Sequence, residues 1–236
     1  MSDWNDEAIR ELRGAVASGS SRLVVQLLRG GLCFEVLQLS GDGLLDAMSN
    51  SEPGAAELAA ECVVALRDRN WEGDVELADQ LDAAIGRGPH PMLRSLAVDL
   101  ADVALAMNFS DGSTTFRFDR MTGQQDVVQD GYSFDGGEDE DDEDDEDRWL
   151  YVELSPSNEG YRDMEVFIAT VNDASIADQL EIAITGKGAF RRFKDVLARW
   201  PEQFARYLVM KDDRERGRAR AWLADQGYRS VPGFDS

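Results

Sequence analysis

The chain has 236 residues, a formal net charge of −23, 43% apolar residues, two cysteines and one histidine. This length can bury one large core or two modest ones, and the ordinary apolar fraction excludes wholesale disorder. No apolar run approaches the roughly 18–20 residues that span a bilayer. Two cysteines and one histidine cannot build a Cys/His zinc site on their own. Charge is unevenly spread: residues 1–90 hold 16 acids and 7 bases, residues 91–185 hold 24 and 5, and residues 186–236 hold 7 and 12. An acidic whole repels nucleic acid at long range, while its last fifth is locally basic. The opening residues, MSDWNDE, lack the basic region and apolar run of a secretory signal, so a cytoplasmic location is expected. Cys33 and Cys62 lie in apolar surroundings and are read as buried free thiols.

The first elements are helical. Ile9, Leu12 and Val16, then Leu23, Val24, Leu27 and Leu28, recur at helical spacing, and Gly30-Gly31 supplies a stop. Residues 57–66 form a second amphipathic helix, and "WEGDVELADQLDAAIG" a third, with Val75, Leu77, Leu81 and Ile85 on or near one face. Together they predict a small all-helical domain over residues 1–88, for which HEAT-like helix pairs are one arrangement. "GRGPHP" is a linker by composition, set at residues 89–93, and His90 between its prolines is expected in solvent rather than in catalysis.

Beyond the linker, Leu100, Val103, Leu105 and Met107 suggest a helix. "TTFRFDRMTGQQDVV" reads as a hairpin, with Phe116 and Phe118 alternating with Thr115 and Arg117, a Thr122-Gly123 turn, and Val127-Val128 returning. Residues 138–147 are ten consecutive acids, a density of like charge no packed element tolerates, so a solvated, disordered loop is expected at 135–148. Its carboxylates suit hard cations, but the glycine and ligand spacing of a calcium loop are missing. A strand resumes at "WLYVELSP", with Leu150, Val152 and Leu154 on one face. Three helical stripes follow: Tyr161, Met164, Phe167, Ile168 and Val171; Ile176, Leu180, Ala183 and Ile184; Phe190, Phe193, Val196, Leu197 and Trp200. Pro201 suits a helix's first turn, so a last helix is expected there, carrying Phe204, Tyr207, Leu208, Trp222 and Leu223 and closed by Gly227. The fold class is therefore α+β: the helical N-terminal domain, then a domain over 94–236 with a short antiparallel sheet and a helical C-terminal half.

The segments "YRDMEVFIATV", "LEIAITGKGAFRRFKDVL" and "ARAWLADQGY", with the hairpin "TTFRFDRMTGQ", resemble a bacterial uncharacterised protein family of the UPF type, UPF 0158. The resemblance covers about residues 96–231 and is most specific over Gly186–Asp195. It implies a shared domain and a cytoplasmic bacterial origin, and it transfers no catalytic residues.

The chemistry centres on "TGKGAFRRFKDVLARW". A phosphate loop of the Walker type needs a hydroxyl directly after its lysine, and here Gly188 and Ala189 follow Lys187, so an NTPase is rejected. Gly186 serves as a left-handed stop to the preceding helix, with Gly188 freeing the turn. Amides opening the next helix, together with Lys187, Gly188, Arg191, Arg192 and Lys194, form a candidate anion site. Arg191, Arg192, Lys194 and Arg199 are read as a solvated basic face, and "KDDRERGRAR" as surface helical pairs. The sequence contains no HExxH or GxSxG motif. The expectation is a non-enzymatic interaction or regulatory protein with no cofactor and no membrane association, its partner another protein. Two alternatives are a weak nucleic-acid binder masked by its own acidic loop and an acidic nucleic-acid mimic.

Overall fold

The computed structural model describes residues 5–109, 113–129, 132–133, 147–156 and 158–231. The acidic run at 138–147 lies outside the described residues except for Asp147. In chain order the elements are α1 (Asp6–Ala17), α2 (Ser21–Leu28), a 3-10 turn (Phe34–Val36), α3 (Leu37–Ser49), α4 (Ala55–Arg69), α5 (Asp74–Ala84) and β1 (Arg94–Ala97). Next come α6 (Leu100–Asn108), β2 (Thr114–Asp119), β3 (Gln125–Gln129), β4 (Tyr132–Ser133) and β5 (Trp149–Tyr151). The chain continues with α7 (Glu159–Ala169), α8 (Ala174–Ile184), α9 (Ala189–Leu197), α10 (Pro201–Asp225) and β6 (Tyr228–Val231). The class is α+β, as the patterning indicates.

Side-chain caps open three of the helices. Asn5 accepts the amides of Glu7 and Ala8 ahead of α1, Asp99 accepts that of Ala101 ahead of α6, and Asp173 accepts those of Ser175 and Ile176 ahead of α8. Helix α3 was not expected from the sequence, and its "SGDG" stretch carries two glycines, residues of weak helix propensity. The glycines are instead points of close approach. A Cβ on Gly41 would lie 2.5 Å from Leu77 Cδ2, and one on Gly43 would lie 2.8 Å from Val24 Cγ1. Packing against α2 and α5 thus outweighs glycine's weak helix propensity.

The chain divides into two compact units, Met1–Pro91 with Pro156–Gly217, and Met92–Ser155 with Arg218–Ser236. This differs from the division expected from composition. Residues 156–217, placed by composition in a domain over 94–236, are grouped with the N-terminal helices. The reason lies in tertiary pairing that leaves no local pattern.

The first unit holds two apolar clusters. One gathers Leu12, Val24, Leu28, Leu37, Leu44, Leu66, Leu77 and Leu81, with Val209 of α10 packed against it. The other gathers Met164, Phe167, Leu180, Phe193, Leu197, Tyr207 and Met210, with Trp71 packed against it. Phe193 is fully buried and meets the Phe167 and Tyr207 rings edge-on at centroid distances of 6.3 and 4.9 Å. Cys33 and Cys62 are free and buried, and burial pushes both thiols up to about 12.

Between these clusters lies a buried ionic cluster. The Arg69 guanidinium donates to Asp74 through Nε (2.9 Å) and Nη2 (2.6 Å), and through Nη1 to Asp213 (2.9 Å) and the Phe34 carbonyl (2.6 Å). Asp213 also accepts the Gln38 and Leu39 amides at the start of α3. Burial alone would lower the Arg69 pKa, yet Asp213 and Asp74 hold it above its ordinary value. Burial also pushes the Asp213 carboxyl upward, against the pull of Arg69 and the two amides. The guanidinia of Arg69 (4.1 Å) and Arg214 (5.0 Å) both approach the Trp71 ring, and Arg214 pairs with Asp163 of α7 at 2.6 Å. The "KDDRERGRAR" run was expected to form surface pairs along its own helix. Lys211–Glu215 does so, but Asp212 meets Arg13, Asp213 meets Arg69, and Arg216 meets Asp42.

The second unit carries a four-stranded antiparallel sheet in the order β4-β3-β2-β5 and a parallel pair, β1 with β6. The hairpin register sets Phe116 opposite Val127, and β2 sets Phe118 opposite Leu150. Phe118 and Leu150 face a core completed by Leu96, Leu100, Val103, Trp222, Leu223 and Tyr228. On the other face Arg117 pairs across the strands with Asp126 at 2.7 Å and covers the Trp149 ring at 3.9 Å.

Several apolar residues assigned to buried stripes stand in solvent: Val75, Leu105, Leu154, Phe190 and Leu208. Trp200 is half-buried. Val75, Phe190 and Leu208 lie toward the edges of their helical stripes, Leu105 lies on the face of α6 away from buried Leu100, Val103 and Met107, and Leu154 lies beyond the end of β5.

Phe193→Ala should cost about 3–5 kcal/mol, the usual loss for a buried aromatic, while Phe190→Ala should cost under about 1 kcal/mol. Urea unfolding of both variants reads the difference. Arg69→Met should cost about 3–5 kcal/mol in the same assay, because it leaves Asp74 and Asp213 buried without their counter-charge.

Candidate functional site

The α8–α9 corner is built around Arg192. Thr185 ends α8 in extended conformation, and Gly186 and Gly188 follow with φ of +79° and +76°, a region costly for side chains with a Cβ. Gly188 is the residue that opens α9, with no side chain to cap it. Arg192 turns back onto this corner. Its Nε donates to the Ala183 carbonyl at 3.1 Å, its Nη2 to Thr185 at 2.6 Å, and its Nη1 to the Lys187 carbonyl. A cation therefore sits at the carbonyl end of α8, where the helix dipole is negative.

Of the five residues expected to bind an anion, Arg192 is thus engaged in holding the corner. Lys187, Gly188, Arg191 and Lys194 are exposed. Arg191 approaches Asp195 only loosely, at 3.8 Å with side chains 91% and 70% exposed, a pair of negligible strength. Two apolar side chains stand exposed on the same helical hairpin, Ile182 at 74% and Phe190 at 47%. The Phe190 ring lies against α7, where a Cβ on Gly160 would come within 2.8 Å of it.

A second site, missed in the sequence, lies wholly within the second unit. An open groove of about 860 Å³ is lined by Arg94 and Ser95 of β1, the turn Asp119–Thr122, Asp147, Arg148 and Tyr228. Asp119 organises the turn: its Oδ1 accepts the Met121 amide at 2.7 Å and the Thr122 amide at 2.9 Å, and its Oδ2 accepts Arg148 Nε at 2.8 Å. Burial would raise the Asp119 carboxyl, but Arg148 and the two amides hold it below the ordinary carboxylate range. Arg120 reaches the Asp147 carbonyl through Nη1 at 3.3 Å, while its buried Nε has no partner. The arginines come from positions 94, 120 and 148, too far apart in sequence to register as a motif.

Among the described residues no group of three or more His, Cys, Asp or Glu side chains is placed to hold a metal ion. No helix is long and apolar enough to cross a membrane, again among the described residues. The fold and its two cationic sites define an α+β protein of two compact units. The chain belongs to an uncharacterised protein family, UPF0158, whose model matches residues 93–234. That match contains the stretch from Leu96 to Val231 over which the sequence resembles the family. No curated protein and no solved structure matches the chain.

Asp119 gives a pH signature. Its folded pKa lies below the unfolded value of about 3.9, so its contribution to stability is complete well above that value and lost as pH falls through the folded pKa. Asp119→Asn should lower the melting temperature at pH 7, and the gap to wild type should narrow below about pH 4. Thermal melts followed by circular dichroism across that range check the sign.

Proposed function

We propose that the protein is a non-enzymatic, cytoplasmic binding protein whose α8–α9 corner docks on an acidic surface of another protein. The observation that carries this reading is the composition of the corner: Lys187, Arg191 and Lys194 are exposed beside exposed Ile182 and Phe190 on one helical hairpin. Protein interfaces combine aromatic and apolar anchors with a charged rim, and contacts to a phosphate backbone, made by cationic and polar groups, gain nothing from an exposed aliphatic side chain such as Ile182. Arg192 supports the reading by fixing the corner from within, so that docking need not order it first. The remaining charge of the chain, strongly negative, also disfavours nucleic acid at long range.

The test is affinity purification of the tagged full chain from its native cell, with nuclease treatment, beside a Lys187→Glu/Arg191→Glu/Lys194→Glu variant. A partner retained after nuclease and reduced at least about tenfold by the charge reversals, at equal thermal stability, is the expected result; tenfold corresponds to about 1.4 kcal/mol. Phe190→Ala should weaken the same complex. Recovery that disappears with nuclease assigns the basic face to nucleic acid, and recovery indifferent to all four substitutions removes the corner from function.

A further inference from the structure

We propose that the groove lined by Arg94, Arg120 and Arg148 binds a small phosphate-bearing anion. The site is separate from the α8–α9 corner and lies in the other unit. Its lining offers three guanidinium groups and the hydroxyls of Ser95, Thr122 and Tyr228, against two carboxylates, Asp119 and Asp147. Asp119 is already occupied, since two turn amides and Arg148 take both of its oxygens. Arg148 is thereby fixed in the groove wall through Nε. Arg120 is held only through Nη1, at the Asp147 carbonyl, and its Nε is a buried donor without an acceptor. Arg94 is exposed. Among the described residues the groove lining thus carries more guanidinium groups than carboxylates, inside a chain of net charge −23 where anions are otherwise repelled.

Planar guanidinium forks match phosphate oxygens two at a time, which favours a phosphate over a group with fewer oxygens. The volume of about 860 Å³ falls within the range of roughly 300–1,000 Å³ typical of small-molecule pockets, so more than the bare ion fits.

Isothermal titration calorimetry of the full chain with inorganic phosphate, adenosine monophosphate and acetate tests this. Saturable binding of phosphate or the nucleotide, weakened at least about tenfold by Arg120→Gln and by Arg94→Gln, is expected. Arg94→Gln alters an exposed side chain and keeps the test valid if Arg120→Gln unfolds the unit. Tighter binding of the nucleotide extends the site to a nucleoside, and equal binding confines it to the phosphate. The triple charge reversal at Lys187, Arg191 and Lys194 should bind as wild type does, so this result stands or falls apart from the docking corner. No saturable binding up to about 10 mM, acetate binding as tight as phosphate, or an Arg94→Gln variant indistinguishable from wild type overturns the proposal.

Discussion

A guanidinium with no exposure to solvent must find its whole hydration shell in protein groups, and Arg69 does so at the end of α4. Two carboxylates and a carbonyl surround it. Each carboxylate has a second duty. Asp213 takes amides at the start of α3, and Asp74 takes the Trp71 amide just ahead of α5. One charge therefore organises two helix starts, the end of a third helix, and the middle of α10. The geometry is also a register device. A one-residue slip of α10 would swing Asp213 about 100° around its axis and strand the guanidinium. Such clusters add little net stability over an apolar core of equal volume, but they make incorrect packings expensive.

This cluster also explains why the first unit is discontinuous in sequence. Asp163, Asp213 and Arg214 lie within the stretch matched by the family model, while Arg69, Trp71 and Asp74 lie before it. The matched stretch is thus shared between two bodies, and the helical one is completed by residues 1–91. Charge pairs Arg206–Glu35, Arg216–Asp42 and Arg13–Asp212 repeat the same linkage along α10. Part of the basic excess of the last fifth of the chain is therefore internal. Arg206 and Arg216 answer Glu35 and Asp42, and Arg214 answers Asp163, while Lys187, Arg191, Lys194, Arg199 and Arg229 face solvent.

The sequence makes the repetitive features legible. Helices α4, α7 and α8 follow from apolar spacing, the hairpin from alternation around Thr122-Gly123, and α10 from Pro201. Contact-dependent features stay hidden. Helix α3 depends on neighbours that need the absence of a side chain at Gly41 and Gly43. The β1–β6 pair joins two four-residue strands from distant parts of the chain, with no local turn to announce it. At the α8–α9 corner the glycines and the basic face were readable, but the direction of Arg192 was not. A cation following a helix start looks like a ligand for anions, and only the fold turns it onto the carbonyls behind it. The groove arginines pose the same problem in a stronger form, because three separated segments bring them together.

The position of the two cysteines has a practical consequence. Thiols held near a pKa of about 12 carry almost no thiolate at neutral pH, and thiolate is the form that reacts with alkylating reagents and disulfides. Both belong to the helical unit, and the chain has no others. Modification must wait until that unit opens and returns each sulfur to water. The rate at which an alkylating reagent consumes these cysteines is therefore a built-in clock for the opening of the helical unit.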